Sequence, residues 1–389
     1  MQMNYDMLSR HRAALMGLAM LFVMFFHVPM AKGELMYGVV RLGNIGVDMF
    51  LFLSGIGLWF SWTKGIPRYE VRGTRYENGN LIPRLGAFYR KRLLRIYPAW
   101  LLIACLYYIP EYLGTDILGQ FPQAADWQSL KSPNLFHLVA NILVNWSFWR
   151  LDDGAFWFIP SIMMMYVFAP FYMELIRRHP IYRWLPVVAM VWATMVQYMP
   201  PIHEAVGHIE IFWSRIPIFL IGINCGELVK RKQSIEPSAV WLMLITFVLS
   251  LWMCIEFENH WRGHFPLFLE RMVYIPLSIS IMFLVGRLFS WCEGAKVRGC
   301  ENTSWACKVI TPLHSPLSTL ISPLTFLGGI SLEIYLVHAQ FVLRYLTPLK
   351  LGYCLTMLLL LVISIPLAWL LSKLVGLINR FILNPLFHE

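Results

Sequence analysis

Apolar runs of about twenty residues recur along the whole chain, and few folds can accommodate them. An α-helix rises 1.5 Å per residue, so a run of about twenty residues crosses a hydrocarbon layer of roughly 30 Å. Inside lipid, every backbone N–H and C=O must be satisfied within the structure, which leaves helices and closed barrels. These runs are continuously apolar, without the alternation of barrel strands, so they read as helices. The candidate spans are 12–31, 37–62, 97–114, 155–176, 184–200, 211–229, 239–257, 270–289, 325–346 and 353–378. Only 14% of the 389 residues are charged and 58% are hydrophobic, too few charges to cover a soluble domain of this size. The expected fold is an all-α, polytopic membrane protein of about ten transmembrane helices, a single domain over 1–389. The first run has no small-residue cleavage site after it, so it is expected to stay as a helix.

Charge sets the expected orientation. Residues 64–95 carry Lys64, Arg68, Arg72, Arg75, Arg84, Arg90, Lys91, Arg92 and Arg95 against Glu70 and Glu77 alone. Basic loops stay in the cytoplasm, so this loop is expected inside. The loops with Arg177, Arg178 and Arg183, with Lys230, Arg231 and Lys232, and with Lys296, Arg298 and Lys308 follow it. The loops with Asp116 and Asp126, with Asp152 and Asp153, with Glu204 and Glu210, and with Glu256 and Glu258 are acidic and expected outside. All these signs agree only if the half-apolar segment 134–150 does not cross. It is expected to be re-entrant or interfacial, with both termini cytoplasmic. The net charge of +10 is then the ordinary excess of cytoplasmic basic residues, with no nucleic-acid partner implied.

Within that frame several ionisable groups fall at membrane depth. His27 lies fifteen residues into the first span, roughly 22 Å along it and in the outer third. Asp48, in GNIGVDMFLFLSG, lies about 15 Å below the outer end of the second span. In GGISLEIYLVHAQF, Glu333 is expected near mid-membrane, with Tyr335 and His338 further out, and Arg41, Arg215 and Arg271 enter spans from outside. Such groups cost several kcal/mol in hydrocarbon unless paired or set in a wet cavity. One reading is plain helix-to-helix pairing, for example of Asp48 with Arg41 or Arg215. The other is a reaction site in the outer half of the membrane. Gly43, Gly46, Gly55 and Gly57 fit close helix contact.

In FYRKRLLRIYP, Arg92 and Arg95 are three apart and share a helix face at the cytoplasmic border. Guanidiniums so spaced suit a phosphate-rich ligand, and equally suit anionic lipid headgroups. The seven cysteines are scattered; Cys292, Cys300 and Cys307 share a polar loop but lack the close pairs of a zinc site, so no metal is expected.

Taken in order, these stretches resemble the acyltransferase 3 family, integral-membrane enzymes that O-acylate bacterial cell-surface carbohydrates. GLAMLFVMFFH looks like its first helix, ending in the functional histidine at His27, and GVDMFLFLSG like its second-helix signature, with Asp48 as the acid. RKRLLRIYP looks like the basic pair at Arg92 and Arg95. WFIPSIMMMYVFAP keeps the family's spacing at Trp157, Tyr166 and Pro170, and GGISLEIYLVH its late signature at Ser331, Tyr335 and His338. Two positions depart from the pattern: Met16 stands where the family often has a basic residue, with Arg10 and Arg12 nearby, and Ile162 and Met163 replace an acidic pair.

The resemblance implies a bacterial inner-membrane O-acyltransferase that takes an acyl group, by default acetyl, from cytoplasmic acyl-CoA to a hydroxyl of an extracytoplasmic glycan. Arg92 and Arg95, with Arg90 beside them, would hold the CoA phosphates. His27 would act as general base or carry the acyl group, and Asp48 would orient its ring or stabilise the imidazolium. Tyr335, His338, Glu333, Arg215 and Trp157 would line the cavity or meet the acceptor. No permanently bound cofactor is expected. The rival reading is a transporter or flippase of a lipid-linked sugar, weakened by the absence of a repeat in hydropathy and by giving Arg92 and Arg95 no task.

Overall fold

The computed structural model describes residues 3–63, 81–113, 135–151, 155–261, 267–297 and 319–383. Lys64, Arg68, Arg72 and Arg75 of the basic loop, the acidic pairs Asp116 with Asp126 and Asp152 with Asp153, and Arg298, Lys308, Cys300 and Cys307 lie outside them.

The chain folds into helices almost throughout. The principal ones are α1 (Arg12–His27), α2 (Ile45–Trp62), α3 (Leu81–Leu113), α4 (Leu135–Val144), α5 (Phe158–Arg178) and α6 (Leu185–Tyr198). They continue with α7 (Ile216–Lys230), α8 (Pro237–Glu256), α9 (Leu267–Val297), α10 (Thr319–Gly329), α11 (Ser331–Val337) and α12 (Tyr353–Ile378). The strands are two-residue pieces, Met3–Asn4 pairing with Ser234–Ile235, which tie the start of the chain to the turn after α7.

The described part of each of the ten apolar runs is mostly helical, but length divides them. Six helices are long and apolar enough to cross a membrane, or up to eight if each of two bent pairs counts as one span. One bent pair joins Pro180–Tyr198 to Pro200–Trp213 at 97°; the other joins Thr319–Gly329 to Ser331–Leu349 at 64°. The protein is therefore an all-α, multi-pass membrane protein. The 134–150 segment breaks in two at Asn145, which takes φ 51° and is held by Tyr108 and the Ala155 carbonyl. Its ten-residue helix α4 reaches only about 15 Å, half a bilayer core.

Two contacts place the site. Helix α2 is almost wholly buried and packs most extensively on α7, then on α1. At the α1–α10 crossing the backbones touch: a Cβ on Gly17 would sit 1.9 Å from the Leu324 carbonyl oxygen, and one on Gly328 1.9 Å from that of Ala13. Only glycine allows that approach, and it brings the α10–α11 bend beside the start of α1. By contrast α8 turns much of its apolar surface outward, as a lipid-facing helix should, with Trp241, Leu242, Val248 and Trp252 exposed.

Candidate active site

A cavity of about 680 Å³ runs between α1, α2, α3, α5 and the α10–α11 bend. At one end it is basic, lined by Arg10, Arg12, Lys91, Arg92 and Arg95. Elsewhere it is lined by Val23, Val47, Phe50, Phe158 and Tyr335. Along α1 it extends from Arg12 to Val23, eleven residues or about 16 Å. Its volume lies within the range of small-molecule sites, roughly 300–1,000 Å³.

The two arginines of the Arg-x-x-Arg element part company. Arg95 donates to Glu333 Oε1 at 3.0 Å and to the Gly329 carbonyl at 3.2 Å, so it ties α3 to the α10–α11 bend. Glu333 is fully buried and keeps one oxygen without a hydrogen-bond partner. Arg92 lies over the rings of Phe88 and Tyr166 instead, at 5.2 and 5.9 Å, and its buried Nε has no hydrogen-bond partner. It also borders a second, nearly apolar cavity of about 510 Å³ between α3 and α5, sharing Ile96 and Tyr166 with the first. Arg90 is exposed and outside the lining. Arg12 donates Nε–H to the Leu53 carbonyl at 3.1 Å and lies where a Cβ on Gly57 would be, 2.7 Å from its guanidinium carbon. Thus Gly57 serves to admit an arginine rather than a helix. Of the three residues that depart from the family pattern, Met16 and Ile162 line this cavity, and Met163 lines the second one.

His27 ends α1, one turn beyond Val23. Its Nδ1 lies 2.7 Å from the Val23 carbonyl oxygen and 3.4 Å from Nε2 of His338, with the rings 4.9 Å apart at 78°. A carbonyl only accepts, so His27 Nδ1 carries the proton and, in the neutral ring, Nε2 holds the lone pair. That nitrogen makes no hydrogen bond among the described residues. His338 is fully buried, and the helix widens from α11 into a π turn over His338–Leu343. Tyr335 accepts the Phe158 N–H on its hydroxyl at 3.1 Å. Phe158 packs against Tyr335 and Phe50, with centroids 5.3 and 6.3 Å apart. All three rings line the cavity, and neither histidine does.

Asp48 makes the helix-to-helix pairing that was one of its two sequence readings. It is fully buried in an ion pair with Arg215, which is also fully buried and donates to Asn44 Oδ1 at 2.7 Å. Arg271 stands behind them and donates to Ser214 at 2.6 Å. No hydrogen bond or ion pair joins Asp48 to His27 among the described residues; its partner Arg215 stands at the start of α7. Arg215, Glu333 and His338 are likewise buried behind the cavity wall rather than lining it. Trp157 is half-buried at the start of α5, edge-on to Phe158, and also outside the lining. Of those expected at a cavity, Arg92, Arg95 and Tyr335 line it. Arg10, Arg12 and Phe158 join them; Arg10 and Arg12 were visible as basic residues near Met16, whereas nothing in the sequence marked Phe158.

Residues 14–373 match the family model of the acyltransferase domain called acyltransferase 3, nearly the whole chain, and the protein belongs to that family. Searches of curated proteins and of solved structures returned no match. Fold and family together define a multi-pass membrane protein with an acyltransferase domain.

Proposed function

We propose that this protein is an acyl-CoA-dependent O-acyltransferase of the cell membrane. It would take an acetyl group from a donor on the cytoplasmic side to a hydroxyl of a glycan or glycoconjugate outside. In this topology the ten apolar runs cross, both termini are cytoplasmic, and the basic mouth of the cavity faces inward.

One observation carries the reading: a single cavity leads from a cluster of five basic side chains to within one helical turn of a histidine whose Nε2 makes no hydrogen bond among the described residues. The cations suit the phosphates of CoA, and Arg92, with an unspent N–H, is the strongest candidate contact. The slender pantetheine arm would follow the channel past Met16 and Ile162. The ring cluster of Phe50, Phe158 and Tyr335 in its lining supports a small acyl group over a long chain. His27 Nε2 then takes the proton of the acceptor hydroxyl as its oxygen attacks the thioester carbonyl carbon. The C–S bond breaks, the sulfur leaves as thiolate, and Nε2 returns the proton to it, giving ester and free CoA.

Binding tests this before any acceptor is known. Purified protein in nanodiscs should bind acetyl-CoA, and Arg92→Ala should weaken that binding by about ten- to a hundredfold, the loss of one charge-assisted contact of roughly 1.5–3 kcal/mol. Folded protein that binds neither acetyl-CoA nor a longer acyl-CoA would refute the proposal.

A further inference from the structure

Asp48 is ion-paired with Arg215, and no hydrogen bond joins it to His27 among the described residues. Some other group must meet the charge that forms on the imidazole. We infer that His338 is the positioning residue of His27: it accepts from His27 Nδ1 and stabilises the imidazolium, so that the pair works as a histidine dyad. The inference rests on His27 acting as the base proposed above.

The tautomers follow from the partners. His338 Nδ1 lies 2.8 Å from the Tyr335 carbonyl oxygen and 3.0 Å from that of Ile334. Both can only accept, so His338 Nδ1 carries its proton and the neutral ring keeps its lone pair on Nε2. That lone pair is the atom facing His27 Nδ1 at 3.4 Å. The proton on His27 Nδ1 therefore has two acceptors, Val23 O in its own helix and His338 Nε2 across the interface. When His27 Nε2 gains a proton, its Nδ1–H becomes a charged donor, and the contact to His338 becomes a charge-assisted hydrogen bond in a dry setting, which strengthens it.

The backbone supports this role. His338 is the first residue of the π turn, a local distortion that recurs at functional sites. It is fully buried, and its ring is fixed through two bonds to its own helix. A neutral acceptor also fits the surroundings. Arg41 faces His27 from 37–41, stacked 4.0 Å over Phe26, and is itself paired with the buried Glu258. Tyr353 reaches Phe25 O from α12, and Tyr335 stands 5.9 Å from the His338 ring. Among the described residues no carboxylate bonds either histidine.

The test compares His338→Leu, which removes the acceptor, with His338→Gln, whose Oε1 can replace Nε2. The readouts are steady-state acetyl-CoA turnover and the ¹⁵N titration of His27 in labelled protein in nanodiscs. His338→Leu should lower kcat by about tenfold or more, leave KM for acetyl-CoA within about twofold, and lower the pH at which His27 takes its second proton. His338→Gln should recover most of kcat and restore the titration. A merely structural role predicts lower yield with an unmoved His27 titration, and that result, or normal kcat in folded His338→Leu, would overturn the dyad. If the titration shifts as expected but native protein turns over no acyl-CoA, the dyad stands and the acyltransferase reading falls.

Discussion

Asp48→Leu separates a structural acid from a catalytic one. In the native structure one carboxylate lies between Arg215, its ion-pair partner, and Arg271 behind it, and all three side chains are buried. Removing the carboxylate leaves two guanidiniums facing each other, with Asn44 as the remaining partner of Arg215 among the described residues. Breaking a buried pair from one side costs about 3–5 kcal/mol, because a charge is left uncompensated. At 1.4 kcal/mol per factor of ten, that is a loss of two to four decades in the folded-to-unfolded ratio. The double variant Asp48→Leu/Arg215→Leu removes both charges and should regain most of the loss. The assay is thermal unfolding of detergent-purified protein by tryptophan fluorescence, with acetyl-CoA turnover measured on whatever remains monodisperse. The account expects low yield and a depressed Tm for the single variant, and a Tm near native for the double. A conservative Asp48→Asn that keeps the native Tm yet loses all turnover would refute it and return Asp48 to the reaction.

Arg95→Ala should destabilise by a similar route, stranding buried Glu333, and Arg95→Ala/Glu333→Gln should recover the folded yield on size exclusion. Gly17→Ala or Gly328→Ala should cost roughly 1–3 kcal/mol or more, since the new methyl meets backbone 1.9 Å away and neither helix can yield; thermal unfolding checks it. Phe158→Ala should enlarge the cavity at its aromatic lining and raise turnover of butyryl-CoA relative to acetyl-CoA, read as a ratio of kcat/KM values in one preparation.

Helices are legible here because a continuously apolar run in lipid satisfies its backbone as a helix, and the described part of each run is mostly helical. Their lengths are less so: the bend between Gly329 and Ser331 is hinted at only by the glycine pair in GGIS, and the break at Asn145 depends on bonds to Tyr108 and Ala155. His27, Asp48, Glu333 and His338 were expected at membrane depth; Asp48 lies in a candidate span, Glu333 and His338 in a bent pair that could count as one, and His27 at the end of a shorter apolar helix. What spacing along one helix does not encode is the direction each residue faces once neighbours pack. Arg92 and Arg95 share a face by count, yet the offset between i and i+3 sends one toward Tyr166 and the other to Glu333. Asp48 and His27 sit on adjacent helices, yet Asp48 meets Arg215. His27 and His338 are 311 positions apart, so their contact depends on the whole bundle.

The central claim is that the channel delivers an acyl donor to His27. The most direct measurement is release of CoA from radiolabelled acetyl-CoA by protein reconstituted in liposomes, native against His27→Ala, each checked for monodispersity and for donor binding. The account predicts that His27→Ala still binds acetyl-CoA and releases CoA about 10²- to 10⁴-fold more slowly. Full turnover in folded His27→Ala would contradict it.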